Sequence, residues 1–253
     1  MFQTKSIKVV FSALGAVCIW LFLLLLSNIG SAESGFHRLI EILGGSSSGY
    51  IQATMYALFA YSIFELMEKR KAIQQQYQGF NFGLLPTQDQ LVLSPEEVAQ
   101  IKLQTIQLEK SGQHYLVSDF IKKACTQYRN DESIGETLQV FNAQVDTTKE
   151  EMEGGLEMIR YLQGAIISLG FVGTLIGLSN SIGMAHLAKT IEGMPQITKS
   201  LNVAFDTTLV ALLIGLVLNF FYHRYLKEMD TFYSQAKSYV INNLISRIYK
   251  PAA

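Results

Sequence analysis

Gly164-Ala165-Ile166-Ile167-Ser168-Leu169-Gly170-Phe171-Val172-Gly173-Thr174-Leu175-Ile176-Gly177-Leu178 and, further on, Ala204-Phe205-Asp206-Thr207-Thr208-Leu209-Val210-Ala211-Leu212-Leu213-Ile214-Gly215-Leu216-Val217-Leu218-Asn219 decide how the rest of the chain is read. Each lies in an apolar run long enough to cross a bilayer, which takes about 20 mostly apolar residues. On a helix turning about 100° per residue, Gly170, Thr174, Gly177 and Ser181 share one narrow face of the first run. Ala204, Thr208, Ala211, Gly215 and Asn219 do the same on the second. Each stripe is small and weakly polar, backed by Leu, Ile, Val and Phe. In lipid, small residues let helix backbones approach closely and hydroxyls bond across the interface. The stripes therefore have two readings. One is helix packing alone. The other is a narrow polar path, because hydroxyls relay protons or coordinate a dehydrated cation without placing a charge in the membrane.

The composition agrees with a membrane protein. Of 253 residues, 49% are hydrophobic and 16% charged, and the mean hydropathy is +0.22, too apolar for an ordinary soluble domain. A net charge of −1 offers nothing to nucleic acid. Cys18 falls in an apolar helix and Cys125 in a polar region, so no disulfide framework is implied. His37, His114, His186 and His223 are scattered over both sides of the membrane, which argues against a metal site. No Ser-His-Asp spacing, Walker loop or paired cysteine is present, and the glycines at 170, 173 and 177 follow no strand. An enzyme reading has no support, and no cofactor is expected.

Taken in order, Met1 to Lys8 is short and basic, and Val9 to Leu26 is nearly unbroken apolar sequence. Gly30-Ser31-Ala32 resembles a signal-peptidase site, but the run exceeds a usual signal core. We read residues 1–30 as a first membrane helix with its N-terminus inside. Residues 31–49 read as an outer loop, with a turn-like Gly44-Gly45-Ser46-Ser47-Ser48-Gly49. Residues 50–67 read as a second membrane helix, closed by the basic cluster Lys69-Arg70-Lys71. Those cations, with Lys5 and Lys8 and only Arg38 between, put both ends of the first hairpin in the cytoplasm.

Residues 68–160 form the one sizeable soluble region. An irregular connection spans Gly79 to Leu93. Ser94-Pro95-Glu96-Glu97 combines an N-cap, a first-turn proline and a capping-box glutamate, predicting a helix from there. Helical spacing continues to Glu109, returns from Tyr115 to Tyr128, and resumes after Asp131. Apart from Gly154-Gly155 it then runs into the third membrane helix, which predicts one long helix reaching into the cytoplasm. Glu150, Glu151, Glu153, Glu157 and Arg160 read as its solvated face. Residues 161–187 are the third span, 188–200 an outer loop, 201–223 the fourth span and 224–253 an amphipathic cytoplasmic helix. Phe232, Val240, Leu244 and Ile248 form its apolar side. The fold class expected is an all-α membrane protein with four transmembrane helices, a helical cytoplasmic domain between helices 2 and 3, and both termini cytoplasmic.

The run Gly170 to Gly177 resembles the third-helix signature of the MotA/TolQ/ExbB family of ion-driven motor channels. Leu201 to Leu212 resembles that family's last helix, and Arg160-Tyr161-Leu162 fits the approach to the third. Two such runs in this order and separation are far more specific than either alone. The resemblance implies that Thr174 and Thr208 take the two pore-lining threonine positions. Thr207, Ser181 and Asp206 join them as ion-pathway candidates, while Gly170, Gly173, Gly177 and Gly215 pack helices. Family members often carry prolines where this chain has Ile167 and Val217, so a mechanism needing a proline kink does not transfer. Asp206 lies about 160° around its helix from Thr208, as a mouth residue, an intersubunit partner or a solvated end-of-helix carboxylate.

What the resemblance further implies is a subunit of a bacterial inner-membrane motor. Five copies would surround two copies of a single-span partner of the MotB/TolR/ExbD kind, each with a membrane aspartate. The chain has no pore-centre carboxylate of its own, so the ion-binding acid would come from that partner. The transported ion would be H+ or Na+. The competing expectation is a membrane scaffold whose small residues only pack helices.

Overall fold

The computed structural model describes residues 2–29, 35–45, 49–86, 92–191 and 193–249. The Gly30-Ser31-Ala32 run and the serines of the Gly44–Gly49 turn lie outside the described residues, as do the side chains of Lys5 and Lys8. Among the described residues the chain is helical throughout, with eight α-helices, three short 3-10 turns and one isolated β-bridge. Its contacts divide it into two compact units, Met1–Met67 with Glu157–His223 and Glu68–Leu156 with Arg224–Ala253.

Among the described residues, three helical stretches are long and apolar enough to cross a membrane, within Val9–Ser27, Ile134–Gly183 and Gly193–Arg247. The first is in α1 (Phe2–Ile29), followed by α2 (Gly35–Ile42). The expected second span lies in α3 (Tyr50–Gln76), a continuous 27-residue helix that is not among the three. Gln52, Thr54, Ser62 and Glu65 dilute its apolar content, and Glu68, Lys69, Arg70 and Lys71 close its apolar part while the helix continues to Gln76. Residues 31–49 depart from the loop expected there. They contain α2, whose Ile40 is buried while Phe36 and Leu39 on the same short helix are exposed.

The unit containing Glu68–Leu156 is built on α4 (Pro95–Lys110), α5 (Leu116–Asp131) and α6 (Ile134–Gly154). The start of α4 is as the sequence predicts. The Ser94 hydroxyl accepts from the Glu97 N–H, and the Glu97 carboxylate accepts from the Ser94 N–H at 2.7 Å. Val98, Ile101, Val117, Phe120, Ile121, Phe141 and Val145 fill the core. Phe120 meets Phe141 edge to face at 6.3 Å between ring centres. Phe232, Val240, Leu244 and Ile248 are all buried, as the amphipathic pattern requires. They do not form a separate tail helix, however. One helix, α8 (Gly193–Asn243), runs 51 residues. A parallel bridge between Leu93 and Ile248 then ties the end of the chain to the start of α4, with the Tyr249 N–H donating to the Leu93 carbonyl at 2.9 Å.

The long helix expected from about Asp131 into the third span is divided at the glycine pair that the sequence marks as its one breaker. α6 ends at Gly154, a turn occupies Gly155 and Leu156, and α7 (Glu157–Gly183) follows. Glu150, Glu151, Glu153 and Glu157 are exposed, as a solvated face should be. Arg160 is exposed too, yet its guanidinium donates to the Tyr222 hydroxyl at 2.9 Å.

Candidate functional site

Within the unit that holds α1, α2 and the first part of α3, α7 and the first thirty residues of α8 pack along an antiparallel seam of small residues. Gly170, Gly173 and Gly177 of α7 are buried, as are Ala204, Thr207 and Ala211 of α8. They pair in opposite order. A Cβ at Gly177 would lie 2.6 Å from the Ala204 Cβ, one at Gly173 would overlap the Thr207 side chain, and one at Gly170 would collide with the Ala211 Cβ. The seam continues at both ends. Gly215 lies under Ile167, where an added Cβ would meet its Cγ1 at 3.3 Å, and Ser181 donates to the Ile197 carbonyl at 3.3 Å. Real Cβ atoms do not tolerate the three central distances, so glycine is required there for the backbones to come this close.

Hydroxyls stitch this contact. Thr208 donates to the Gly170 carbonyl at 3.1 Å, and Thr174 reaches the Ala204 carbonyl, also at 3.1 Å. The Thr174 and Thr208 hydroxyls are in direct contact as well. Each threonine thus bonds to the partner helix four residues before the other threonine. Thr207 is different. It is 0% exposed, sits in the notch over Gly173, and bonds back to Val203 and Ala204 of its own helix.

The sequence stripe placed Thr174 and Thr208 on the faces shared by the two helices. The structure centres the seam on Gly173 and Thr207 instead, and leaves Thr174 and Thr208 at its half-buried edge. The reason is steric: closest approach falls where glycine faces a side chain, so Thr207 fills the notch of Gly173 and Thr174 and Thr208 flank that contact. Ser181 is buried and bonds to Gly177 and Ile197 carbonyls, inside the packing of the seam.

Asp206 is not a solvated carboxylate at a helix end. It is 5% exposed and receives both terminal nitrogens of Arg38, at 2.7 and 2.9 Å. Arg38 stands on α2 and also approaches Glu41 at 3.4 Å. Sequence reasoning noticed Arg38 only as the lone cation of its loop and did not join it to Asp206.

What this arrangement can do chemically is limited and specific. It offers a closely packed helix pair with two touching hydroxyls, open to one side, and no free carboxylate beside them among the described residues. Residues 113–238, about half of the chain and the whole of this seam, match a family described as the MotA/TolQ/ExbB proton channel family. No curated protein and no solved structure matches the chain.

Proposed function

Because the chain belongs to the MotA/TolQ/ExbB proton channel family, we propose that it is the channel-forming subunit of an inner-membrane motor driven by H+ or Na+. The observation that carries this reading is the Thr174–Thr208 pair, half-buried at the edge of the seam in the matched region. Hydroxyls in contact can pass a proton or share in holding a cation with no fixed charge. The binding carboxylate is then supplied by two copies of a single-span partner with a membrane aspartate, encircled by five copies of this chain. Thr207 and Ser181, both enclosed in the seam, support the path from behind by holding the helices together.

The outward surfaces of α7 and α8 favour an assembly in lipid. Phe171, Leu175, Leu212 and Leu216 are all exposed in the isolated chain, and such a surface calls for bilayer or neighbouring copies to cover it. On this reading α3 supplies a fourth span through Tyr50–Leu66. Both termini and the Glu68–Leu156 unit are then cytoplasmic.

A scaffold reading is favoured by one specific observation, that every seam hydroxyl already has a protein partner. The readings part on Thr208→Ala. Ion flux across vesicles holding the complex with its co-purified partner should fall severely in this variant while the complex stays assembled. Flux unchanged from the parent would leave the threonines as packing residues.

A further inference from the structure

Thr208 and Asp206 lie on opposite sides of α8, two residues apart, and each is gripped by a different helix. Toward α7, Thr207 fills the notch of Gly173 and Thr208 bonds to the Gly170 carbonyl. Toward α2, Asp206 receives the bidentate fork of Arg38. A turn of α8 about its own axis that moves Thr208 must also swing Asp206 away from Arg38. The notch and the hydroxyl bonds hold one side of α8 and the Arg38 fork holds the opposite side, so the two grips act on the same rotation.

α2 can act as a brace because it is itself held. The Tyr56 hydroxyl of α3 donates to the Leu43 carbonyl just after α2 at 2.8 Å, and Ile40 is buried. Arg38 has little freedom to change partners. Among the described residues Glu41 is the one other acid it approaches, and the space bordered by Arg38, Glu41, Lys199, Asn202 and Asp206 is a cavity of about 20 Å³, room for a single water. The pair is also lopsided. The Asp206 side chain is 7% exposed and that of Arg38 40% exposed, so the carboxylate depends on the fork for its solvation.

We propose that Arg38 is a positioning residue for the ion path: with Asp206 it clasps α8 to α2 and sets the rotation of α8 that presents Thr208 to Thr174. Its functional consequence rests on the reading of that pair as part of an ion path. The clasp itself does not. The neutral alternative is an ion pair that only adds stability.

The test reads the helix register directly. In the full chain with Cys18 and Cys125 replaced by serine, Thr174→Cys and Thr208→Cys place two thiols where the hydroxyls touch, and oxidation in native membranes cross-links them. Adding Arg38→Gln should slow that cross-linking several-fold, and Arg38→Lys, which keeps the charge but not the fork, should recover part of it. Should Arg38→Gln be degraded because it strands a buried carboxylate, Arg38→Gln with Asp206→Asn removes both charges and should show the same slowing. Cross-linking at the parental rate in these variants would overturn the clasp. Ion flux of Arg38→Gln with native threonines is measured in parallel. Slower cross-linking with undiminished flux upholds the clasp and counts against the ion-path reading.

Discussion

Gly177 and Gly164 share a helix and a residue type but not an environment. A methyl group at Gly177 would meet the Ala204 backbone nitrogen at 2.7 Å, whereas Gly164 has nothing within 4 Å. Overpacking of this kind costs about 1–3 kcal/mol, so Gly177→Ala should lower the thermal unfolding midpoint in detergent and part α7 from α8. Gly164→Ala should raise it slightly, since alanine is favoured over glycine inside a helix by roughly 0.5–1 kcal/mol. Equal effects at the two positions would contradict the seam. Thr207→Val keeps the shape that fills the Gly173 notch and should be better tolerated than Thr207→Ala, which empties it. Gly170 and Gly177 fall on the stripe that helical spacing marks, whereas the central place of Gly173 is set by Thr207 facing it, which no spacing within one helix shows. The Arg38–Asp206 pair was not legible in the sequence: 168 residues separate its members, and no periodicity links a loop cation to an acid on a distant helix.

Helices that begin with a chemical signal were legible, and helices defined only by neighbours were not. Ser94 announces α4 by a capping box that needs four consecutive residues and nothing else. Ser94→Ala should therefore destabilise the unit around α4 by about 1 kcal/mol, seen as earlier proteolysis there. Ion flux should be unaffected. α2 reads as loop in the sequence because eight residues are too few for periodicity to outweigh a short connection between two apolar runs. The division of α8 at His223 followed a drop in hydropathy, and hydropathy reports surroundings rather than helix ends. No glycine or proline lies between Gly215 and Pro251 to stop it.

The Glu109–Lys122 contact between α4 and α5 adds a pH-dependent element. The Lys122 ammonium holds the Glu109 carboxyl below its usual range. Burial pulls the Lys122 ammonium down, but hydrogen bonds to Glu109 and Asp119 override it and leave its pKa raised. A lowered acid stabilises the fold above its unfolded value, about pH 4, and that contribution is lost as pH falls through the folded value. A raised base stabilises below its unfolded value, about pH 10, and loses that as pH rises through the folded value. The unfolding midpoint of Glu109→Gln should lie below that of the parent near pH 7, with the gap closing on acidification below about pH 4. A gap that persisted unchanged into strong acid would mean the pair contributes nothing through its charge.

At the scale of the whole molecule, the exterior of α7 and α8 is apolar and, among the described residues, no free acid stands beside Thr174 and Thr208, so on the proposed reading a single chain is incomplete for conduction. Family membership was legible because Gly170 to Gly177 and Leu201 to Leu212 carry it in two short runs. The proposed five copies and single-span partner rest on the resemblance alone, since no residue pattern within one chain encodes contacts between molecules. Native mass spectrometry of the tagged chain, released gently from its own membranes, tests the proposed assembly most directly. The account predicts a mass of five 28.3 kDa chains plus two copies of a smaller single-span protein. A monomer or dimer without such a companion would contradict it and return the threonines to helix packing.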